Sequence, residues 1–175
     1  LTKQHYIDVI QQQAGDMDAL VHKMLDFSKL ESDSAKLNIK SFNIKTELEN
    51  IAKKYNNISS KNIIVTADDK EIFADKELME LVFENLIENA VKYSKDNSDI
   101  KISFANNNFN ISNECDEISK KDLKKIWKPY NRLEKDEEVR GTGIGLSIVK
   151  HILKLHRIKP YTEYSGGRLI IGFYI

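Results

Sequence analysis

The sequence predicts an α+β two-layer sandwich, one mixed β-sheet with helices on one face, preceded by a long α-helix. Three observations carry that expectation. Residues 76–93 and 143–155 place apolar side chains at helical spacing, residues 100–112 and 160–175 read as hairpin-linked strands, and residues 3–30 hold a heptad-like seam. Helices combined with mostly hairpin-linked strands point to α+β.

In chain order, Ile7, Ile10, Ala14, Met17, Val21 and Met24 alternate steps of three and four, flanked by Leu20 and Phe27. That stripe needs a partner, either the body of the same domain or another helix of a hairpin or dimeric bundle. The polar stretch Glu31-Ser32-Asp33-Ser34 reads as a linker and favours the second. Residues 37–42 alternate like a half-buried strand. Residues 46–55 are helical, with Leu48, Ile51 and Ala52 on one face. Short strands follow at 62–67 and 71–74, then the amphipathic helix 76–93. Strands 100–105 and 108–112 are joined by an Asn-rich turn. Residues 121–127 form a short helix, 129–140 are polar and irregular, and 143–155 are helical through Ile144, Ile148 and Ile152. A terminal hairpin, 160–164 with 168–175, turns at Gly166-Gly167.

A chain of 175 residues with 41% hydrophobic content supports one substantial core and a small appended element. Its 27 basic and 27 acidic residues cancel, so charge gives no sign of a nucleic-acid partner or an anionic membrane. The one cysteine, Cys115, excludes an internal disulfide and fits a reducing compartment. No apolar run approaches the roughly 20 residues of a membrane span. The start, Leu1-Thr2-Lys3, has no signal-peptide character and no initiator Met, which reads as an excised fragment. Membrane attachment is expected only through missing upstream segments.

Two constellations carry chemistry. In Gly141-Thr142-Gly143-Ile144-Gly145-Leu146, three glycines at alternate positions clear side chains from a loop that opens a helix. Backbone N–H groups and the positive helix end then suit a phosphate. A flexible turn before a helix is the plain alternative. The spacing matches neither a Walker loop nor a Rossmann fingerprint. In Asn85-Leu86-Ile87-Glu88-Asn89-Ala90-Val91-Lys92-Tyr93, Asn85, Asn89 and Lys92 share one helical face beside the apolar arc of Val82, Phe83, Leu86 and Ala90. Carboxamide oxygens are hard ligands suited to Mg²⁺, and an ammonium neutralises phosphate. Asn is a poor helix former, so two of them inside a good helix need a reason.

Together these segments resemble the ATP-binding catalytic domain of sensor histidine kinases, of the Bergerat fold shared with gyrase B and MutL. Residues 85–93 look like the family's N box, Ile126-Trp127-Lys128-Pro129-Tyr130-Asn131-Arg132 like its F box, and 141–146 with Ser147-Ile148-Val149-Lys150 like its G2 box. The first helix, through Leu20-Val21-His22-Lys23-Met24-Leu25-Asp26-Phe27, is similar to the second helix of the dimerisation and phosphotransfer hairpin. The resemblance implies two parts, residues 1–34 and 35–175. The stretch 126–130, with the short terminal part, also resembles VanS-type kinases.

The resemblance implies roles by position. Asn89 with Asn85 coordinates Mg²⁺, Lys92 contacts phosphate, and Tyr93 packs beside adenine. The backbone from Gly141 through Thr142, Gly143, Ile144 and Gly145 to Leu146 holds phosphates. Residues 129–140 form a mobile lid whose Arg132 and Arg140 reach the γ-phosphate, a solvated lid position being the alternative for each. The implied ligands are ATP and Mg²⁺. The implied partners are a response regulator and a second copy through the helical hairpin. The implied place is the cytoplasmic side of a membrane-anchored bacterial kinase.

Two departures stand out. The G1 box, Asp-x-Gly-x-Gly in the family, matches Asn113-Glu114-Cys115-Asp116-Glu117 followed by Ile118. Asn113 replaces the aspartate that accepts from the adenine amine, and Cys115 and Glu117 replace the glycines. Asn113 and Ile118 are therefore expected at an atypical adenine end. Second, neither His5 nor His22 lies in a phosphoacceptor context, and His151 and His156 do not share a helical face. The chain is expected to bind ATP and not to autophosphorylate alone. A degenerate nucleotide-binding signalling module and a serine-kinase anti-sigma factor are the competing readings.

Overall fold

The computed structural model describes residues 36–131 and 143–175, together with Ile7 and Val21. It divides the chain into two compact units, Leu1–Lys36 and Leu37–Ile175. In the first unit, Ile7 and Val21 are helical and exposed, and the remainder of the seam lies outside the described residues.

The second unit begins with β1 (Ile39–Asn43) and α1 (Ile44–Ile58). Asn43 ends the strand and caps the helix, its side chain accepting from the Thr46 amide at 3.0 Å. Next come β2 (Ile63–Ala67), β3 (Glu71–Asp75) and α2 (Lys76–Tyr93), the last capped by Asp75 through the Leu78 amide. β4 (Ile100–Ala105) and β5 (Asn108–Glu114) form a hairpin. Its turn residues Asn106 and Asn107 both take positive φ, a conformation that asparagine tolerates better than most side chains. The short α3 (Lys120–Lys125), α4 (Gly145–Leu155), β6 (Pro160–Ser165) and β7 (Arg168–Tyr174) complete the unit.

The strands form one five-stranded sheet, ordered β2-β4-β5-β7-β6, with β2 parallel to β4 and every other pair antiparallel. The sequence suggested a single sheet, but among the described residues β1 and β3 pair with each other alone, as a separate antiparallel ladder. That ladder turns Phe42, Ile72 and Ala74 inward and leaves Phe73 exposed.

Alternation along the strands fixes the two layers. Ile63, Ile100, Ile102, Phe104, Phe109, Ile111, Ile171 and Phe173 are buried, while Ile64, Thr66 and Lys101 lie exposed on the opposite face. α1 packs on β2, and α2 lies over β5 with α4 beside it. Phe83 of α2 meets the sheet at Phe109 with ring centroids 5.1 Å apart, and Phe109 stacks on Phe173 at 4.8 Å. This aromatic plug presses the middle of α2 against β5, so that the polar side of the same helix turns toward the start of α4.

Candidate functional site

The site is built along α2. Val82, Phe83, Leu86, Ile87 and Ala90 are buried, as the apolar arc required. On the adjoining edge exposure rises step by step, from buried Asn85 through half-buried Asn89 to exposed Lys92. Eight residues of helix separate Asn85 from Tyr93, about 12 Å at the usual helical rise.

Asn85 is 3% exposed. Its Nδ2 donates to the Leu81 carbonyl at 2.8 Å, which turns Oδ1 outward from the helix. That oxygen is buried and accepts no hydrogen bond from the described residues. It faces the first residue of α4, where a Cβ on Gly145 would stand 3.0 Å from it. The glycine leaves the oxygen room. Asn89 has the complementary lack, a buried Nδ2 with no acceptor among the described residues. A buried polar group without a partner is rare and destabilising, so two of them one turn apart mark a place where an outside group completes the bonding.

The start of α4 supplies the opposing wall. Among the described residues no side chain caps it, and Ile144, at the cap position, is buried. The first turn of a helix carries N–H groups with no partner inside the helix and a partial positive charge. Gly143 has φ +68°, a conformation that favours glycine, and a Cβ there would lie 3.1 Å from the Tyr130 Cα. The Tyr130 amide donates to the Gly143 carbonyl at 3.0 Å. The segment read as an F box and the glycine segment thus meet at Tyr130 and Gly143, on either side of residues 132–142. Arg132, Arg140, Gly141 and Thr142 lie outside the described residues. Leu146 is half-buried in the first turn of α4.

The other end of the groove is held by clamps with no local sequence signal. Lys61 buries its side chain to 9% exposure. Its ammonium donates to the carbonyls of Ser94 and Lys95, at 3.2 and 2.8 Å, and to Asp96. It therefore closes the C-terminal end of α2, where carbonyls concentrate negative charge. The Lys95 amide then donates to the Glu114 carbonyl at 2.9 Å, bringing the exit of α2 against Asn113 and its neighbours. Cys115 is buried, with its amide bonded to the Gly167 carbonyl. Asn113 is 5% exposed and Ile118 half-buried.

Two further side chains were not read as functional from the sequence. Tyr55 of α1 donates to Glu88 at 3.2 Å, and its burial together with the charges of Glu88 and Glu84 pushes its hydroxyl above the usual tyrosine range. Glu88 also faces Lys92 at 3.9 Å, one turn on. His156 accepts at Nε2 from the Asp75 amide at 3.1 Å, with Nδ1 on the Ile152 carbonyl. It pins the end of α4 to the start of α2.

Residues 74–171 match the family of histidine kinase-, DNA gyrase B- and HSP90-like ATPases. This chain belongs to that ATPase family. Among relatives, it is 31% identical over 112 residues to the sensor histidine kinase ArsS of Helicobacter pylori, covering 64% of this chain and 24% of that protein. The chain therefore spans about a quarter of that relative's length. Two solved structures share its fold. The histidine kinase AdeS of Acinetobacter baumannii superposes with a TM-score of 0.80 at 21% identity, covering 100% of this chain and 85% of that one. Full-length ShkA, solved in complex with AMPPNP, superposes with a TM-score of 0.80 at 17% identity, covering 99% of this chain and 38% of that one. The α+β sandwich expected of the ATPase family is the fold observed.

Proposed function

We propose that this chain is the ATP-binding catalytic region of a two-component sensor histidine kinase. In this reading residues 35–175 hold Mg·ATP, and residues 1–34 are the second helix of a dimerising hairpin. The observation that carries it is the buried Asn85 oxygen, without a partner among the described residues, facing the start of α4 inside a chain of this ATPase family. The separation into compact units at residue 36 supports the boundary.

The residues fit Mg²⁺ with a triphosphate. Asn85 offers a hard oxygen that no group among the described residues uses. The Asn89 carboxamide has an oxygen suited to the metal and a nitrogen suited to donate to a phosphate oxygen. Bound Mg²⁺ supplies charge neutralisation between adjacent phosphates. The chain does the remainder. The backbone from Gly141 to Leu146 and the start of α4 receive phosphate oxygens, and Lys92 adds a cation at the open edge. Tyr93 and Ile118 flank the base, and Asn113 pairs with its edge. Arg132 and Arg140 are the cations assigned to the γ-phosphate, where a positive charge stabilises charge developing in transfer. The γ-phosphoryl passes to a histidine imidazole on a preceding helix, and from there to an aspartate of a response regulator. The whole protein then works as a homodimer on the cytoplasmic side of a bacterial membrane. Among the described residues no helix is long and apolar enough to cross that membrane itself.

Incubation of the 175-residue chain with Mg²⁺ and γ-labelled ATP tests the assignment. Nucleotide is expected to bind, with no base-stable phosphohistidine formed until the preceding helix is supplied. A stable phosphohistidine on residues 1–175 would overturn the placement of the acceptor.

A further inference from the structure

Asn113 stands where the pattern of its strand calls for an apolar side chain. Phe109, Ile111 and Asn113 occupy the helix-facing positions of β5, and all three are buried. Among the described residues the Asn113 Nδ2 reaches the carbonyl of its own neighbour, Glu114, at 3.5 Å, the outer limit of a hydrogen bond. A buried carboxamide held by one bond at that limit keeps donor and acceptor capacity for the edge of a ligand.

The backbone on either side is held. The Glu114 carbonyl accepts from the Lys95 amide, and its carboxylate meets Arg168 at 3.0 Å. The Cys115 amide and carbonyl are bonded to the Gly167 carbonyl and the Tyr164 hydroxyl. The clamps leave Asn113 one easy adjustment, rotation of the carboxamide about its own bond.

We propose that Asn113 makes the base subsite accept 6-oxopurine nucleotides as well as 6-aminopurine ones. The inference rests on the reading of this groove as a nucleotide site. A carboxylate here would only accept hydrogen bonds, so it would suit the adenine amine and oppose the O6 of a 6-oxopurine. A carboxamide carries one acceptor and one donor. With Oδ1 toward the adenine amine and Nδ2 toward N1, it matches adenine. Turned over, it places Nδ2 on O6 and Oδ1 on the N1–H of hypoxanthine, and again no group is left unmatched.

The test compares Mg·ATP with Mg·ITP, which differ at the 6-position and N1 of the base. Calorimetric titration of the chain is expected to give dissociation constants within about tenfold of each other. In Asn113→Asp, ATP should bind still, while the preference for ATP over ITP should widen at least about tenfold, because a buried carboxylate then opposes O6. Should that variant fail to melt cooperatively, the ratio measured on the parent chain decides alone. Binding of ATP with ITP rejected by about a hundredfold or more would overturn the inference and leave the ATP site standing. An unchanged ratio in a folded Asn113→Asp would also overturn it. Failure of both nucleotides to bind the parent would overturn the nucleotide reading, and this inference with it.

Discussion

Replacing Gly145 by alanine separates a binding role for Asn85 from a packing role. The position opens α4 with an ordinary helical backbone, so alanine by itself favours the helix by up to about 1 kcal/mol. Against this, the new Cβ would stand 3.0 Å from the Asn85 oxygen, roughly half an ångström inside a comfortable contact. The carboxamide must give way, and its tether from Nδ2 to the Leu81 carbonyl weakens. A hydrogen bond of this kind contributes about 0.5–1.5 kcal/mol. The two effects nearly cancel, so the stability of Gly145→Ala should stay within about 1 kcal/mol of the parent in urea denaturation. The oxygen nevertheless leaves its place. If it serves Mg·ATP, affinity should fall about tenfold, a loss of roughly 1.4 kcal/mol. Calorimetry on the same samples reads that loss. An affinity within about twofold of the parent, with stability held, would refute the reasoning that makes this oxygen a ligand.

Two other perturbations follow from the clamps around the site. Tyr55→Phe removes the bond to Glu88 and should cost about 0.5–1.5 kcal/mol at neutral pH. Because the folded-state hydroxyl titrates above its ordinary value of about 10, its contribution is full below that pH and is lost as pH rises further. Urea denaturation at pH 7 and pH 10.5 should therefore show the gap between parent and variant narrowing, and a gap that widens would count against the buried hydroxyl. Lys61→Met leaves the carbonyls of Ser94 and Lys95 without their cation, and about 1.5–3 kcal/mol of stability should go with it. A loss under about 0.5 kcal/mol would show that the end of α2 does not depend on this lysine.

The parts of the fold that local pattern controls were legible in the sequence. The apolar periodicity of residues 76–93 matches α2 from end to end, because Asp75 caps its start and no glycine or proline interrupts it. The two asparagines at helical spacing do lie along the border of its buried face, Asn85 buried and Asn89 half-buried. Other features depend on distant partners. β5 runs to Glu114 rather than ending at Ser112, because Asn113 and Glu114 pair with Leu169 and Arg168 of β7. The helix expected from Gly143 begins at Gly145, since the positive φ of Gly143 is incompatible with a right-handed helix. The separate β1–β3 ladder joins segments about thirty residues apart, and alternation within each strand cannot say which edge it will meet. Lys61 and His156 carry no motif at all. Their importance comes from carbonyl and amide groups brought to them by the fold, 34 and 81 residues away.

The most direct measurement of the central claim is a Mg·ATP titration of the chain, repeated on Asn89→Asp and repeated with EDTA in place of Mg²⁺. The account predicts saturable binding by the parent below millimolar ATP, weaker binding without the metal, and a loss of about tenfold or more in Asn89→Asp, where a carboxylate stands among phosphates. No binding by the parent at millimolar ATP would contradict it, and would leave a signalling module that keeps the fold of this ATPase family without its nucleotide.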